Sequence, residues 1–230
     1  MKFSLIIAAL IMHYNIYSQN KEWLVKPGED VKNALGDSVI YQYPQFKAGI
    51  VYFKNGTASS GNLNLNIFNG EMQFIQYSGD TMALADEGLI KYITIQNDTF
   101  YYNKVYVQLI YGNAAAKFGK IEVLKKVDEI KKSGYGQMTS TSSISNISYY
   151  GANNQVSKLE IANKILLHKE TYYFIADRFN NFNPALKKNI FTMFNANKTA
   201  IETFMNDNNI NLDKKEDLIK LIDFIKQIQQ

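Results

Sequence analysis

The sequence predicts an α+β fold: an antiparallel β-meander, open or curled toward a barrel, followed by a β-hairpin and about three C-terminal helices. Three observations predict it. Between residues 48 and 126 apolar and polar residues alternate in short runs, as in Leu63-Asn64-Leu65-Asn66-Ile67, the period of a strand with one buried and one wet face. Turn residues punctuate those runs at Asn55-Gly56, Asn69-Gly70, Gly79-Asp80 and Asn97-Asp98. Near the C-terminus the period changes to 3.6, most clearly in Leu218, Leu221, Ile222, Ile225 and Ile228.

Residues 1–18 read as a signal peptide. Lys2 supplies a positive start, Phe3 to Met12 an apolar stretch, and Ser18 a small residue at the cleavage position. The apolar stretch is short for a membrane span, and no later one is long enough to cross a bilayer. The expectation is an exported protein, periplasmic or extracellular. No cysteine follows the signal, so a lipoprotein anchor has no attachment site, and no disulfide can form. A hydrophobic fraction of 46% supplies a core and excludes global disorder.

Residues 19–132 form the expected meander domain with its lead-in. Trp23, Tyr41, Tyr43 and Phe46 pin the irregular lead-in to its neighbour. Asn69-Gly70 offers a pair of positive-φ residues for a tight hairpin. Strands are expected near 48–54, 57–67, 70–77, 80–85, 89–96, 99–103, 105–112 and 117–126, each beside the next because the connections are short. Leu65, Phe74, Ile95 and Val107 are expected to share one buried face, with Asn64 and Gln73 solvated on the other.

Residues 133–157 lose hydrophobic periodicity and are rich in Ser, Thr, Gly and Asn, which reads as a loop or linker. Residues 158–230 form the last unit. A hairpin of 159–167 and 170–176 turns near His168-Lys169. Asn183-Pro184 opens a helix over 185–194, Asn197 caps 198–206, and Asp213-Lys214-Lys215-Glu216 has capping-box spacing before the last helix.

Two portions of the chain resemble a β-rich family of exported proteins common in Bacteroidota-type bacteria. The first comprises Tyr43-Pro44-Gln45-Phe46, Phe53-Lys54-Asn55-Gly56, Leu63-Asn64-Leu65-Asn66, Gly70-Glu71-Met72-Gln73-Phe74-Ile75 and Gly79-Asp80-Thr81. The second comprises Phe194, Ile201, Phe204, Ile210 and Asp217-Leu218-Ile219-Lys220-Leu221. The family has no assigned activity, so the resemblance implies fold and compartment and carries over no catalytic residue.

Chemistry-bearing patterns are sparse. His168 is the only histidine after residue 18, which leaves no Cys/His zinc set and one possible base for a triad, at an expected turn. Nucleophile-elbow, dinucleotide and phosphate-loop motifs are missing, and no cofactor is expected. No catalytic residue and no metal ligand is assigned. Glu71, Asp80, Asp86, Glu87 and Asp98 are the carboxylates of the meander, and two of them facing across a cleft would suit a glycosidase. Asp80 and Asp98 sit where Asp bonds its own turn. The basic residues are lysines apart from Arg178, a composition that argues against nucleic-acid recognition.

Aromatics are the binding candidates. Tyr101, Tyr106 and Tyr111 crowd two adjacent expected strands and, if they line the open face, make a stacking platform for a glycan or an interface for a protein. The functional expectation is a non-enzymatic binding or structural component of the bacterial cell envelope, with an envelope protein or glycan as partner. The alternative is a carboxylate-dependent hydrolase acting on envelope glycans.

Overall fold

A computed structural model describes residues 22–26, 28–29, 31–132, 138–140 and 164–229. The expected signal peptide lies outside them. So does the expected linker, except Met138–Ser140, which forms a short strand.

A short strand, β1 (Glu22–Val25), is followed by two helical turns, α1 (Val31–Leu35) and α2 (Asp37–Ile40). Next come β2 (Lys47–Phe53), β3 (Ala58–Asn66), β4 (Glu71–Ile75), β5 (Thr81–Ala83), β6 (Ile90–Ile95), β7 (Asp98–Asn103), β8 (Val105–Gly112) and β9 (Ala116–Lys132). The remainder is β10 (Met138–Ser140), β11 (Lys164–Asp177), β12 (Asn183–Pro184), α3 (Lys187–Met193), α4 (Lys198–Asp207) and α5 (Lys215–Ile228). All the ladders are antiparallel, so the α+β class and the meander character hold.

The strand order is β1-β11-β9-β8-β7-β6-β2-β3-β4-β5, with β10 beside β9 and β12 beside β11. The meander breaks once: after β5 the chain returns to lay β6 against β2, in the manner of a Greek key. The ladder ends at β1 on one side and β5 on the other, so the sheet does not close into a barrel.

The lead-in ties the two ends together. Ile40 O accepts from Ile67 N–H just beyond β3, and Ile40 shares a buried cluster with Val25 of β1 and Leu167 of β11. In a flat sheet those strands would lie five or more spacings from β2, upwards of roughly 24 Å. The sheet therefore curls around α1 and α2, with Trp23 packed against the same cluster as expected.

The expected hairpin at His168-Lys169 is not formed. Residues 164–177 make one continuous strand paired with β9 along its length, and His168 stands opposite Lys125 and Glu22. The polar pair His168-Lys169 interrupts an apolar run without turning the chain, and each of the two points to a different face. The C-terminal unit is accordingly joined to the meander through one sheet.

Alternation along β9 and β11 defines the faces. Ala116, Phe118, Tyr173 and Ile175 on the inner face pack under the helices with Ile190, Ile201, Leu218, Leu221 and Ile225. Leu124 and Leu167, further along the same face, pack against the lead-in. Val107, Ile121, Phe174 and Ala176 lie on the outer face, closed over by Phe182 from the loop after β11. Asn103 Nδ2 donates to Phe182 O at 2.5 Å and ties that loop down.

Four expectations are corrected here. Leu65 and Ile95 share the inner core and Phe74 packs on it, but Val107 is buried on the opposite face. Asn64 is buried rather than solvated, because its side chain accepts from Tyr43 N–H and donates to Tyr43 O. The β3–β4 turn has one positive-φ residue rather than two: Gly70 at φ 72°, while Asn66 Oδ1 accepts from the amides of Phe68 and Asn69. Asn183-Pro184 pairs with β11, and α3 begins after Leu186; no side-chain cap bond forms on α4 or α5, where Asn197 Nδ2 instead donates to Ile228 O.

Candidate functional site

The three tyrosines expected to form a platform are dispersed. Register explains why: Tyr102 stands opposite Tyr106 and Tyr101 opposite Val107, so Tyr101 and Tyr106 face opposite sides of the sheet. Tyr106 is 3% exposed in the inner core, and its hydroxyl donates to Glu87 Oε1 at 3.3 Å. Burial first, then Glu87, pushes its phenol far above the ordinary tyrosine value. Tyr111 lies against the helical cover, donating to Asp223 Oδ1 of α5 at 2.7 Å. Tyr101 alone keeps a half-buried place on the outer face.

Strand pairing gives Tyr101 different companions. Tyr52 of β2 stands opposite Tyr92 of β6, and their rings stack with centroids 4.6 Å apart and planes 28° apart. Tyr92 lies 6.2 Å from Tyr101, and Tyr101 lies 5.2 Å from Phe182. Three half-buried tyrosines from three strands thus form a row that ends on a buried phenylalanine. Lys91 Nζ sits 6.0 Å from the Tyr92 ring centroid at the edge of this row. Burial raises the Tyr101 phenol, with Tyr92 adding to it. Tyr52 and Tyr92 are stacked, while Tyr92–Tyr101 and Tyr101–Phe182 are tilted by 49° and 34°.

Further along the outer face, Glu170 gathers three donors. Lys125 Nζ lies 3.2 Å from both its oxygens, His168 Nε2 lies 2.5 Å from Oε1, and the Tyr172 hydroxyl donates to Oε2. Burial raises the carboxyl, but Tyr172, His168 and Lys125 outweigh it and hold Glu170 below the ordinary glutamate value. His168 is therefore part of a polar cluster around Glu170 on a strand, not a solvated turn residue.

On the inner face, polar residues interrupt the apolar pattern at one level of three neighbouring strands. β8 reads Tyr106, Gln108, Ile110; β9 reads Leu124, Glu122, Lys120, Phe118; β11 reads Leu167, Lys169, Thr171, Tyr173. Gln108 stands opposite Lys120, and Glu122 opposite Thr171. Lys120 Nζ and Lys169 Nζ each lie 2.5 Å from an oxygen of Glu122. Gln42 Nε2 donates to Gln108 Oε1 at 3.4 Å. Burial raises the Glu122 carboxyl, and the two lysines more than reverse this, holding it below the ordinary value.

Two meander carboxylates are engaged locally: Asp80 accepts from Ser78 Oγ at 2.8 Å and Glu71 from Gln73 Nε2 at 2.9 Å. Asp98, expected to bond its own turn, instead accepts from Tyr43 OH at 2.5 Å, 55 positions away in the chain. Among the described residues no group of three or more His, Asp or Glu side chains is placed to hold a metal ion, and no helix is long and apolar enough to cross a membrane.

Compared with family models, with curated proteins and with solved structures, the chain matches none.

Proposed function

We propose that this protein is an exported, non-enzymatic component of the bacterial cell envelope that binds a protein partner through the outer-face row of Tyr52, Tyr92 and Tyr101. The observation that carries the reading is the row itself: three half-buried tyrosines on three strands, Tyr52 stacked on Tyr92, Tyr92 tilted by 49° against Tyr101, and Tyr101 resting on Phe182. Tyrosines packed ring against ring cover part of one another's faces and keep amphipathic rims. A protein surface uses such amphipathic rims well, whereas a sugar ring needs an open aromatic face. Export rests on the Lys2, Phe3 to Met12 and Ser18 pattern, and the family resemblance points the same way.

The test compares the wild-type protein with a Tyr92→Ala, Tyr101→Ala double variant, each recovered from native envelopes after cross-linking. A partner retained by the wild type and by Asp80→Asn, but lost by the double variant, supports the reading. Loss of envelope glycan turnover in Asp80→Asn, with the tyrosine variant still holding its partner, would establish the hydrolase alternative. Retention of a glycan rather than a protein by the row would also overturn it. Mass spectrometry of the native protein should find its N-terminus at or near Gln19; an intact Met1 refutes export.

A further inference from the structure

We propose that the inner-face polar band is a binding site for a small hydroxylated carboxylate, such as a uronic acid, held by Lys120 and Lys169. The band does not depend on the tyrosine row, which lies on the other face of the sheet.

The case starts from the alternation. Inner-face residues of β8, β9 and β11 are apolar toward the lead-in and apolar again toward the helices. Only the level between these two covers is polar, and it is polar on all three strands together. Side chains for a core would continue the apolar pattern; here Lys169 and Thr171 reach solvent between two apolar covers, which makes the level an accessible polar site with apolar walls.

Charge supplies the second step. Two ammonium groups share one carboxylate, so the trio carries a net positive charge. The side chains are only partly accessible, 24% for Lys120, 39% for Lys169 and 13% for Glu122. Lys120 is partly buried and Lys169 exposed, so the excess charge lies where an anion from solvent can reach it and gain from the reduced screening around Lys120. Each ammonium has three donors, and Glu122 takes one from each, which leaves donors for a second carboxylate.

The neutral members of the band define the rest of the ligand. Gln108 and Gln42 present amides on one side of Lys120, and Thr171 is exposed opposite Glu122. Amide and hydroxyl groups suit the hydroxyls of a sugar-like acid better than an apolar tail. Glu122 then has a defined part: it holds both lysines in place and weakens binding by competing for them.

The test titrates the full chain with glucuronate, acetate and glucose in turn, following lysine side-chain signals by NMR. Glucuronate should shift Lys120 and Lys169 saturably, acetate should do so more weakly, and glucose should leave them unmoved. Lys169→Gln, at the most exposed member, should weaken glucuronate about tenfold, as expected for one charge-assisted hydrogen bond. Glu122→Gln should tighten it by releasing the lysines. Equal response at all surface lysines, or unchanged affinity in Lys169→Gln, would overturn the proposal.

Discussion

Tyr52 and Tyr92 stand opposite one another on β2 and β6 with their rings stacked 4.6 Å apart, although forty positions separate them in the chain. The contact exists only because β6 returns to β2 instead of continuing beside β5.

A double-mutant cycle on this pair should report the stacking directly. Aromatic pairs contribute about 0.5–1.5 kcal/mol beyond the area they bury. The single changes Tyr52→Ala and Tyr92→Ala and their combination, compared by denaturant unfolding, should show coupling of that size. Strict additivity would mean that the rings pack independently.

Both faces of the sheet contribute to stability, so residue parity is a poor guide to cost. Leu65→Ala and Ile95→Ala in the inner core should each cost about 2–5 kcal/mol. Asn64→Ala should also be damaging, by about 1–3 kcal/mol, because it leaves the Tyr43 amide and carbonyl unpaired. Chemical denaturation of the three variants checks the ranking.

The β8–β9 contact is close enough to require glycine at one position. A Cβ on Gly119 would lie 2.4 Å from Gln108 O and 2.6 Å from Val107 Cγ1, whereas one on Gly61 would meet nothing within 4 Å. Gly119→Ala should destabilise by about 1–3 kcal/mol through overpacking. Gly61→Ala should be neutral or stabilising by up to about 1 kcal/mol, since it restricts the unfolded chain. Thermal unfolding distinguishes the two.

Acid should weaken the fold through Glu122 and Glu170. Both carboxyls are held below the ordinary value in the folded state, so their stabilisation is present above the unfolded value of about 4.3 and is lost as pH falls through the lower folded value. Unfolding followed from pH 7 to pH 2 should show this loss, and Glu170→Gln should flatten part of it. A profile unchanged in the variant would show that the cluster contributes nothing through ionisation.

Alkali should act through Tyr106. Its phenol is raised in the folded state, so stability is intact below the unfolded value of about 10 and declines as pH rises above it. Tyr43 is raised as far, so Tyr106→Phe should reduce that decline without abolishing it, read by circular dichroism between pH 8 and pH 12.

Local chemistry made most strands of the meander legible. Alternation from Leu63 to Ile67 and the turns at Gly56, Gly70 and Gly79 mark their strands within a few residues. Partner choice was not legible, because alternation constrains which face a residue takes and not which strand lies alongside. Tyr52 and Tyr92, forty positions apart, are brought together by that choice of partner alone. The dispersal of Tyr101 and Tyr106 had a readable signal: a tight turn at Asn103-Lys104 places Tyr102, not Tyr101, opposite Tyr106. His168-Lys169 has the polarity of a turn, yet on one strand the pair serves an outer cluster around Glu170 and an inner polar band.

The pairing of β1 with β11 sets the order in which the chain can assemble. Val25 stands opposite Ile165, so a strand near the start of the described chain finds its only ladder partner among the described residues about 140 positions later. Hairpins such as β3–β4 and β7–β8 close short loops and can form at once, whereas β1 must wait for nearly the whole sheet. Such non-local closure slows folding. The amides of β1 are therefore expected to gain protection last in pulsed hydrogen exchange, so that β1, with α1 and α2 beside it, acts as the latch that completes folding rather than the nucleus that starts it.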